Sequence, residues 1–216
     1  MSVQPSTPRK PMLLFADARF TSPYAMSVFV ALTEKRIPFA LKTVDLETGA
    51  NRGEEYAAQS LTQRVPTLVD GDFALSESSA ITEYLEELQP EPALYPADLK
   101  TRARARQVQA WIRSDLLPIR QERSTNVVFY GPADAPLSAA AEAAADKLFK
   151  AAQALLDHGG DHLFGAWTIA DVDLALMLNR LVLNGDDVPP ALRDYAARQW
   201  ARESVQAWVS RARPPL

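Results

Sequence analysis

The stretch that decides the fold is RVPTLVDGDFALSESSAI, residues 64–81. Two short apolar runs, at 67–69 and 73–75, flank the dipeptide Asp70-Gly71, and this pattern indicates a β-hairpin. Directly after the hairpin, apolar side chains recur at helical spacing over residues 78–88. The stretch therefore predicts two antiparallel strands that lead straight into a helix.

The residues before this stretch alternate between strand and helix patterns. MLLFA at 12–16 predicts a buried strand, and residues 23–35 predict a helix with one apolar face. FALKTVDL at 39–46 predicts a second strand, parallel to the first if the helix between them is a crossover. With a short helix expected at 54–59, the order is β-α-β-α-β-β-α, which is typical of an α/β domain with a mixed sheet.

The residues after this domain show only helical patterns. QPEPALYPADL at 89–99 carries three prolines and predicts an interdomain linker. The helix that begins near residue 168 is apolar nearly all round, so we expect it at the centre of a second, all-helical domain. The expected domains are 1–88, with a flexible lead at 1–11, and 100–216. Helices are predicted at 100–120, 138–157, 168–181, 190–199 and 203–212.

The composition excludes several classes of function. A chain of 216 residues, 47% of them hydrophobic, buries a sizeable core, and its net charge of -4 argues against a nucleic-acid partner. The absence of cysteine excludes disulfides, thiolate metal sites and a cysteine nucleophile. His158 and His162 lie in a predicted loop without a ligand set, so we expect no metal. No apolar run is long enough for a signal peptide or a membrane span, so we expect a cytoplasmic protein without a membrane partner.

The segment TSPYAMS, residues 21–27, has the outline of a thioredoxin-type Cys-Pro-x-Cys turn without its sulfurs. Ser22 followed by Pro23 is a strong signal for the start of a helix, because serine caps the helix and proline suits its first turn. On one interpretation Ser22 only caps. On the other, its hydroxyl at the helix N-terminus donates a hydrogen bond to an anion such as a thiolate, so the sulfur comes with the ligand.

Two further turns carry groups that bind a peptide-like ligand. A cis bond before Pro66 would turn the Val65 N–H and C=O outward, towards an extended peptide; the alternative is an ordinary loop proline. At the start of the next helix, Ser78 or Ser79 either caps the helix or helps the backbone N–H groups to hold a carboxylate. Glu77 beside them would face a positive amine. Carboxylate and amine together indicate an amino-acid head group.

These motifs together resemble the glutathione S-transferase family. They are SPYAMSVFVAL, RVPTL, SESSAITEYLEE, the proline-rich linker and FGAWTIADVDLAL, and the resemblance covers roughly residues 12–210. The most specific pair is VPTL followed by ESSAI. The resemblance implies a thioredoxin-like N-terminal domain, an all-α C-terminal domain and a homodimer.

The resemblance also implies a catalytic hydroxyl. Ser22 occupies the position at which serine-type members of the family stabilise the glutathione thiolate, and Thr21 is the alternative because some members place this hydroxyl one residue earlier. Cysteine-type members carry cysteine where this chain has Ser22, which argues against chemistry through a mixed disulfide with the protein.

The remaining contacts implied by the resemblance bind the three residues of glutathione. Val65, before a cis Pro66, would pair through its backbone with the cysteinyl residue, and Glu77 and Ser78 would hold the γ-glutamyl head group. The glycine carboxylate needs a cation from the protein. The candidate cations are Arg64, Arg52 and, behind them, Lys42.

The function implied is that of a glutathione transferase that activates the thiol against a small hydrophobic electrophile or a hydroperoxide. Glutathione is then a co-substrate, and no cofactor is required. The second substrate would bind between the domains, where Arg113, Arg120 and Arg123 are candidate lining residues. The alternative is a glutathione-binding or scaffold protein of the same fold without catalysis.

Overall fold

The N-terminal half is a thioredoxin-like domain built on a four-stranded mixed sheet, as predicted. The structure is a computed structural model that describes residues 11–216, so the predicted flexible lead lies almost entirely outside the described residues. The strands lie in the order β2-β1-β3-β4; β1 is parallel to β2 and antiparallel to β3, and β4 is antiparallel to β3. Their bounds are β1 Met12–Asp17, β2 Phe39–Val44, β3 Thr67–Asp70 and β4 Phe73–Ser76.

The helices of this domain place two N-termini beside the sheet. Helix α1 spans Pro23–Glu34 and follows β1, a short 3-10 helix (Ala50–Arg52) and α2 (Glu54–Ala57) follow β2, and α3 (Ser78–Leu88) follows β4 directly. The turn between β3 and β4 is Gly71-Asp72, one residue later than the sequence indicated, because Asp70 still pairs with Phe73.

The two faces of β1 explain how the sheet is covered. Leu14 is fully buried in the main core with α1 and α3, while its neighbour Phe15 points to the opposite face and contacts the ring of Tyr56 edge-on at 5.4 Å. This alternation is what a strand imposes when both of its faces are covered. It leaves the carboxyl end of β1, at Asp17, next to the start of α1.

The C-terminal half is all-helical, as predicted, and α8 lies at its centre. Residues from Ile169 to Leu181 of α8 are almost all buried. The helix begins with a capping box in which Asp171 Oδ2 accepts hydrogen bonds from the Thr168 N–H at 2.8 Å and the Thr168 hydroxyl at 2.9 Å. The helices are α4 Leu99–Ser114, α5 Leu117–Glu122, α6 Thr125–Phe129, α7 Ala139–Leu156, α8 Ile169–Val182, α9 Pro190–Trp200 and α10 Glu203–Val209.

The predicted single helix at 100–120 is wrong. The chain leaves helical geometry after Ser114: Asp115 is extended and Leu116 adopts a left-handed conformation with φ 60°. Pro118 then lies in the first turn of α5, where its missing N–H is tolerated. The break places Arg120 on a short helix of its own, and α6 was not predicted at all.

The two halves pack through a common core and through an ion pair at the end of α1. Phe29 of α1 lies 5.3 Å from the ring of Trp208 in α10. Glu34 accepts hydrogen bonds from Arg202 of the helical half at 2.6 and 2.8 Å. Its neighbour Lys35 is fully buried and pairs with Glu86 of α3 at 2.6 Å, within the N-terminal half. The position of α1 relative to the helical half is thereby fixed.

In residues 11–216 no helix combines the length and apolar character needed to cross a membrane.

Candidate active site

The loop between β1 and α1 is organised by a buried carboxylate at the end of β1. Asp17 Oδ2 accepts hydrogen bonds from the Thr21 N–H at 2.7 Å and from the Thr21 hydroxyl at 2.9 Å, and Oδ1 accepts one from the Ser22 N–H at 2.9 Å. The Thr21 hydroxyl proton is therefore committed to Asp17. Of the two hydroxyls that the sequence left as alternatives, the one on Thr21 is not available as a donor to a ligand in this geometry.

Ser22 is the N-cap of α1 and keeps its proton available. Its Oγ accepts a hydrogen bond from the Ala25 N–H at 3.2 Å, and Pro23 occupies the first turn. Among residues 11–216 no acceptor takes the Ser22 hydroxyl proton, and the side chain is only partly buried. A hydroxyl can accept and donate at the same time, so capping and donation to a ligand are compatible at this residue.

The turn before β3 presents unpaired backbone. The Val65–Pro66 peptide bond is cis, and within the described chain neither the N–H nor the C=O of Val65 has a hydrogen-bond partner. The preceding carbonyl, of Arg64, accepts hydrogen bonds from the Tyr56 hydroxyl at 2.8 Å, Ser60 Oγ at 3.2 Å and Thr67 Oγ1 at 3.2 Å. The carbonyl of Arg64 is thus held from three sides, which orients the Val65 backbone.

Sequence reasoning missed this supporting network. Burial raises the pKa of the Tyr56 phenol, so it remains a protonated donor. Ser76 joins the same buried cluster, 3.1 Å from Ser60 Oγ. The only signal in the sequence was a run of small hydroxyl residues around the deciding stretch, which local patterns alone do not connect to one carbonyl.

The start of α3 is uncapped and strained. Glu77, rather than Ser78 or Ser79, is the N-cap, and its side chain makes no capping hydrogen bond. Its backbone adopts φ 74° and ψ 111°, a conformation that costs a non-glycine residue about 1–3 kcal/mol. The Glu77 carboxylate is exposed and has no ion-pair partner among residues 11–216, while Ser78 is buried in the first turn. The first N–H groups of α3 therefore remain open to an anion.

Two adjoining cavities gather these groups. The first, of about 320 Å³, lies against Ser22, Thr21 and Arg52. The second, of about 240 Å³, lies against Pro66, Glu77 and Ser78. The two share three lining residues, which are Tyr24, Arg64 and Val65. The cavities meet at the turn before β3 and form one continuous groove of ligand size.

The candidate cations divide into two groups. Arg52 and Arg64 line the groove, are exposed and form no ion pair within residues 11–216. Lys42 does not reach the groove; it pairs with Glu55 at 3.2 Å on the outer side of β2. The structure therefore leaves Arg52 and Arg64 as the candidates for an anionic end of a ligand.

A third, smaller cavity of about 20 Å³ lies between the halves of the molecule, next to the start of α1. Arg113 and Arg120 line it, as expected, but Arg123 does not: Arg123 is buried and donates to Asp186 at 2.6 and 2.7 Å. Arg180 of α8 takes its place in the lining and was not predicted. The signal that could have found it is an arginine within the last turn of a helix that is expected to be buried.

The chain's histidines take no part in this region. His158 Nε2 lies 3.0 Å from the carbonyl of His162 in the loop before α8. Among residues 11–216, no three or more His, Cys, Asp or Glu side chains are grouped so that they could hold a metal ion.

Comparisons with known proteins match both halves of the chain. The Glutathione S-transferase N-terminal domain matches residues 21–88, and the Glutathione S-transferase C-terminal domain matches residues 98–213. Human glutathione S-transferase theta-2 is 38% identical over 99 residues, which cover 45% of this chain and 40% of the human protein. That match thus spans less than half of either sequence.

Solved structures extend the similarity to nearly the whole chain. A glutathione transferase homologue from Burkholderia GL BGR1, solved with bound glutathione, is 48% identical, with 93% of this chain and 96% of that chain covered and a TM-score of 0.75. A glutathione S-transferase from Rhodospirillum rubrum F11 is 27% identical, with 94% and 96% covered and a TM-score of 0.73. The chain therefore belongs to the glutathione S-transferase family.

Proposed function

We propose that this protein is a glutathione transferase that binds glutathione in the continuous groove and stabilises its thiolate with the Ser22 hydroxyl. One observation carries the proposal: the unpaired Val65 backbone lies in the same groove as a free hydroxyl at one helix start and an uncapped second helix start. A tripeptide with a carboxylate at each end and a thiol in the middle matches these groups in order.

The proposed binding mode assigns each group of the ligand to a described side chain or backbone group. The cysteinyl residue pairs with the Val65 N–H and C=O, as an added strand does. The γ-glutamyl carboxylate accepts hydrogen bonds from the start of α3 and from the Ser78 hydroxyl, and its amine faces the Glu77 carboxylate. Arg64 and Arg52, on the other side of Val65, take the glycine carboxylate.

The energy required for thiol activation is within reach of these groups. A free thiol has a pKa of about 8.5 and is only a few per cent ionised at neutral pH. Lowering that pKa by about two units takes about 2.7 kcal/mol of preferential stabilisation of the thiolate. One hydrogen bond to a charged group together with a helix N-terminus supplies an amount of this size. No cofactor is needed; glutathione is the co-substrate.

The thiolate then attacks a second substrate that enters between the two halves. With an electrophilic carbon, a carbon–sulfur bond forms and the leaving group departs with its electron pair. With a hydroperoxide, the thiolate attacks the terminal oxygen, the oxygen–oxygen bond breaks, and the alkoxide departs and takes up a proton. The glutathione sulfenic acid that forms then reacts with a second glutathione to give the disulfide and water. The neighbouring cavity beside Tyr24, Arg113 and Arg120 supports this side as the entrance, because it opens on the groove that holds Ser22.

The alternative, a glutathione-binding or scaffold protein without catalysis, is less well supported. Binding alone needs the Val65 backbone and the start of α3, but it makes no use of the Ser22 hydroxyl proton, for which residues 11–216 offer no acceptor. We place the activity in the cytoplasm, where thiols are kept reduced.

We also propose a homodimer, as the family resemblance implies, with light scattering as the test. Two acidic residues of α3 are not free for such an interface, since Glu83 pairs with Arg106 at 2.5 Å and Glu86 pairs with Lys35 within one chain. If two copies associate, they do so through other contacts.

The experiment is retention on immobilised glutathione followed by conjugation assays. We expect the protein to bind, to be eluted by free glutathione, and to conjugate 1-chloro-2,4-dinitrobenzene; reduction of cumene hydroperoxide tests the peroxidase reaction separately. Binding without either reaction would favour the scaffold, and failure to bind glutathione would exclude both forms of the proposal.

A further inference from the structure

The cavity between the two halves carries more positive charge than it can neutralise. It is lined by Arg113, Arg120 and Arg180, together with one carboxylate, Asp173. Asp173 is already engaged: it accepts a hydrogen bond from Arg113 at 3.0 Å and another from Gln109 at 2.8 Å. Two of the arginines that line the cavity therefore have no acidic partner in the described chain.

Of these two arginines, Arg180 is the stronger evidence for a ligand, because it is deeply buried. Only 4% of its surface is exposed, and its Nη1 donates a hydrogen bond to the carbonyl of Arg123 at 2.8 Å. Its Nε is buried and has no hydrogen-bond partner among residues 11–216. Burial lowers the pKa of Arg180 to about 10, so the side chain still carries its charge at neutral pH.

Arg120 adds a second unneutralised charge beside Arg180. Within the described part of the chain its Nε is also buried without a partner, and its Nη1 donates to the Tyr24 hydroxyl at 3.5 Å. The positive charge of Arg120 is one of the influences that lower the pKa of Arg180, which follows from the closeness of the two groups. Placing a buried and a partly buried guanidinium side by side, with no carboxylate paired to either among residues 11–216, is unfavourable for folding alone, so the arrangement points to a ligand.

We propose that Arg180 and Arg120 bind a carboxylate carried by the second substrate. A guanidinium presents paired donors that match the two oxygens of a carboxylate. At about 20 Å³ the cavity admits only the end group of a molecule, so the body of the substrate lies outside it. The apolar residues Ile112, Leu176 and Met177 complete the lining of the cavity around that end group. This inference rests on the proposed function, since it concerns the partner of glutathione in that reaction.

Glutathione itself does not account for Arg180. Arg113 and Arg120 line both the small cavity and the groove beside Glu77 and Ser78, so a carboxylate of glutathione could reach them. Arg180 lines the small cavity alone among the cavities described above. A group that neutralises Arg180 must enter that cavity, whose lining does not include Glu77 or Ser78.

The test compares 4-chloro-3,5-dinitrobenzoate with its methyl ester as electrophiles for glutathione. In both, the sulfur replaces chloride at the ring carbon. Because the two electrophiles differ in intrinsic reactivity, each kcat/KM is divided by the rate constant of the uncatalysed reaction. For the wild type we expect this normalised kcat/KM to be about tenfold or more higher for the carboxylate than for the ester. Arg180→Gln keeps an N–H donor for the Arg123 carbonyl, and it should bring the ratio close to one. Arg180→Lys, which keeps the charge, should retain part of the preference.

Two further variants and a binding measurement complete the test. Arg198→Gln removes an arginine of the same domain that pairs with Asp161 at the surface, and the wild-type ratio should persist. If Arg180→Gln does not fold, the same carboxylate-to-ester ratio is measured on Arg120→Gln. Titration of 4-nitrobenzoate against 4-nitrobenzamide measures the same preference without catalysis. Conjugation with a ratio near one, or equal affinity for the two probes, overturns the inference; loss of glutathione conjugation with preferential benzoate binding would instead refute only the proposed function.

Discussion

The Asp17 carboxylate accepts a hydrogen bond from the Ser22 backbone N–H at 2.9 Å while its other oxygen holds both the N–H and the hydroxyl of Thr21. One buried side chain at the end of β1 thus fixes two neighbouring residues in different ways. The Thr21 hydroxyl already donates its proton to Asp17. Ser22 is positioned through its backbone N–H, and its hydroxyl remains able to donate to a ligand. This asymmetry gives a physical reason to favour Ser22 over Thr21.

The first prediction concerns Asp17→Asn. The amide cannot accept hydrogen bonds on its nitrogen, so at least one of the three donors now held by Asp17 loses its partner. We expect a loss of about 1–3 kcal/mol in the free energy of unfolding and a fall in kcat of about tenfold, because the loop no longer holds Ser22 at one place. Urea unfolding and steady-state kinetics measure the two effects. A variant with wild-type kcat would show that Asp17 supports the fold without positioning Ser22.

The second prediction separates strain from binding at Glu77. Glu77→Ala removes the proposed partner of the ligand amine, and glutathione should bind about ten- to a hundredfold more weakly. Glu77→Gly removes the same carboxylate but suits the left-handed backbone, so it should lose affinity similarly while gaining stability relative to the alanine variant. Calorimetric titration and melting temperatures are the measurements. Unchanged glutathione affinity in both variants would remove Glu77 from the site.

The third prediction concerns pH and the contact between the two halves. Burial alone would raise the pKa of Glu34, but hydrogen bonds from Arg202 and Ser204 outweigh it and the pKa is lowered. A carboxyl group whose pKa is lower in the folded state stabilises the protein above the unfolded pKa of about 4.3, and this stabilisation disappears as the pH falls through the folded value. We expect Glu34→Gln to cost about 1–3 kcal/mol at pH 7 and progressively less below pH 4.

Unfolding in urea at several pH values checks the third prediction, with the difference between variant and wild type as the quantity of interest. Other carboxyl groups titrate in both proteins, so their contributions cancel in this difference. A difference that stays constant from pH 7 to pH 3 would contradict the assignment of the effect to ionised Glu34.

The architecture was predictable because local patterns agreed with the tertiary structure along most of the chain. The hairpin and helix in residues 64–81 carry turn and periodicity signals that act over a few residues. The break at Leu116 was missed because its left-handed backbone is imposed by packing, and the residue itself favours a helix. The role of Arg180 was missed for a similar reason, because no pattern within α8 indicates that α5 brings Arg120 close to it.

The candidate site residues remain predictions. Ser22, Val65 and Ser78 could be proposed from the sequence because each lies within a short motif with a recognisable local chemistry. The choice between Thr21 and Ser22 depended on Asp17, whose carboxylate meets them only after the loop closes. The support of the Arg64 carbonyl by Tyr56 likewise joins residues from different elements. Such contacts are properties of the folded molecule.

The last prediction tests whether the Ser22 hydroxyl stabilises the thiolate or only caps α1. Ser22→Ala should raise the pKa of bound glutathione towards that of the free thiol, while Val65, Glu77 and Ser78 still hold the ligand and its dissociation constant changes little. The rate of conjugation near pH 6.5 should fall about ten- to a thousandfold and recover as the pH rises to about 9, because solvent then ionises the thiol. The pH dependence of kcat/KM and the thiolate absorbance of the bound ligand measure this.

Ser138→Ala is the control for the loss of a cap. Ser138 caps α7 through the Ala141 N–H at 3.3 Å, nearly the geometry of Ser22 and Ala25 at 3.2 Å, and its hydroxyl also donates a hydrogen bond to Glu122 at 2.5 Å. Both variants lose a cap worth about 1 kcal/mol, so both should melt at a lower temperature, but only Ser22→Ala should shift the pH profile. Thr21→Val serves as a second control, because it removes a hydroxyl already held by Asp17. If the profile moved in Thr21→Val and stayed in place in Ser22→Ala, the thiolate donor would be Thr21, and Ser22 would be a cap alone.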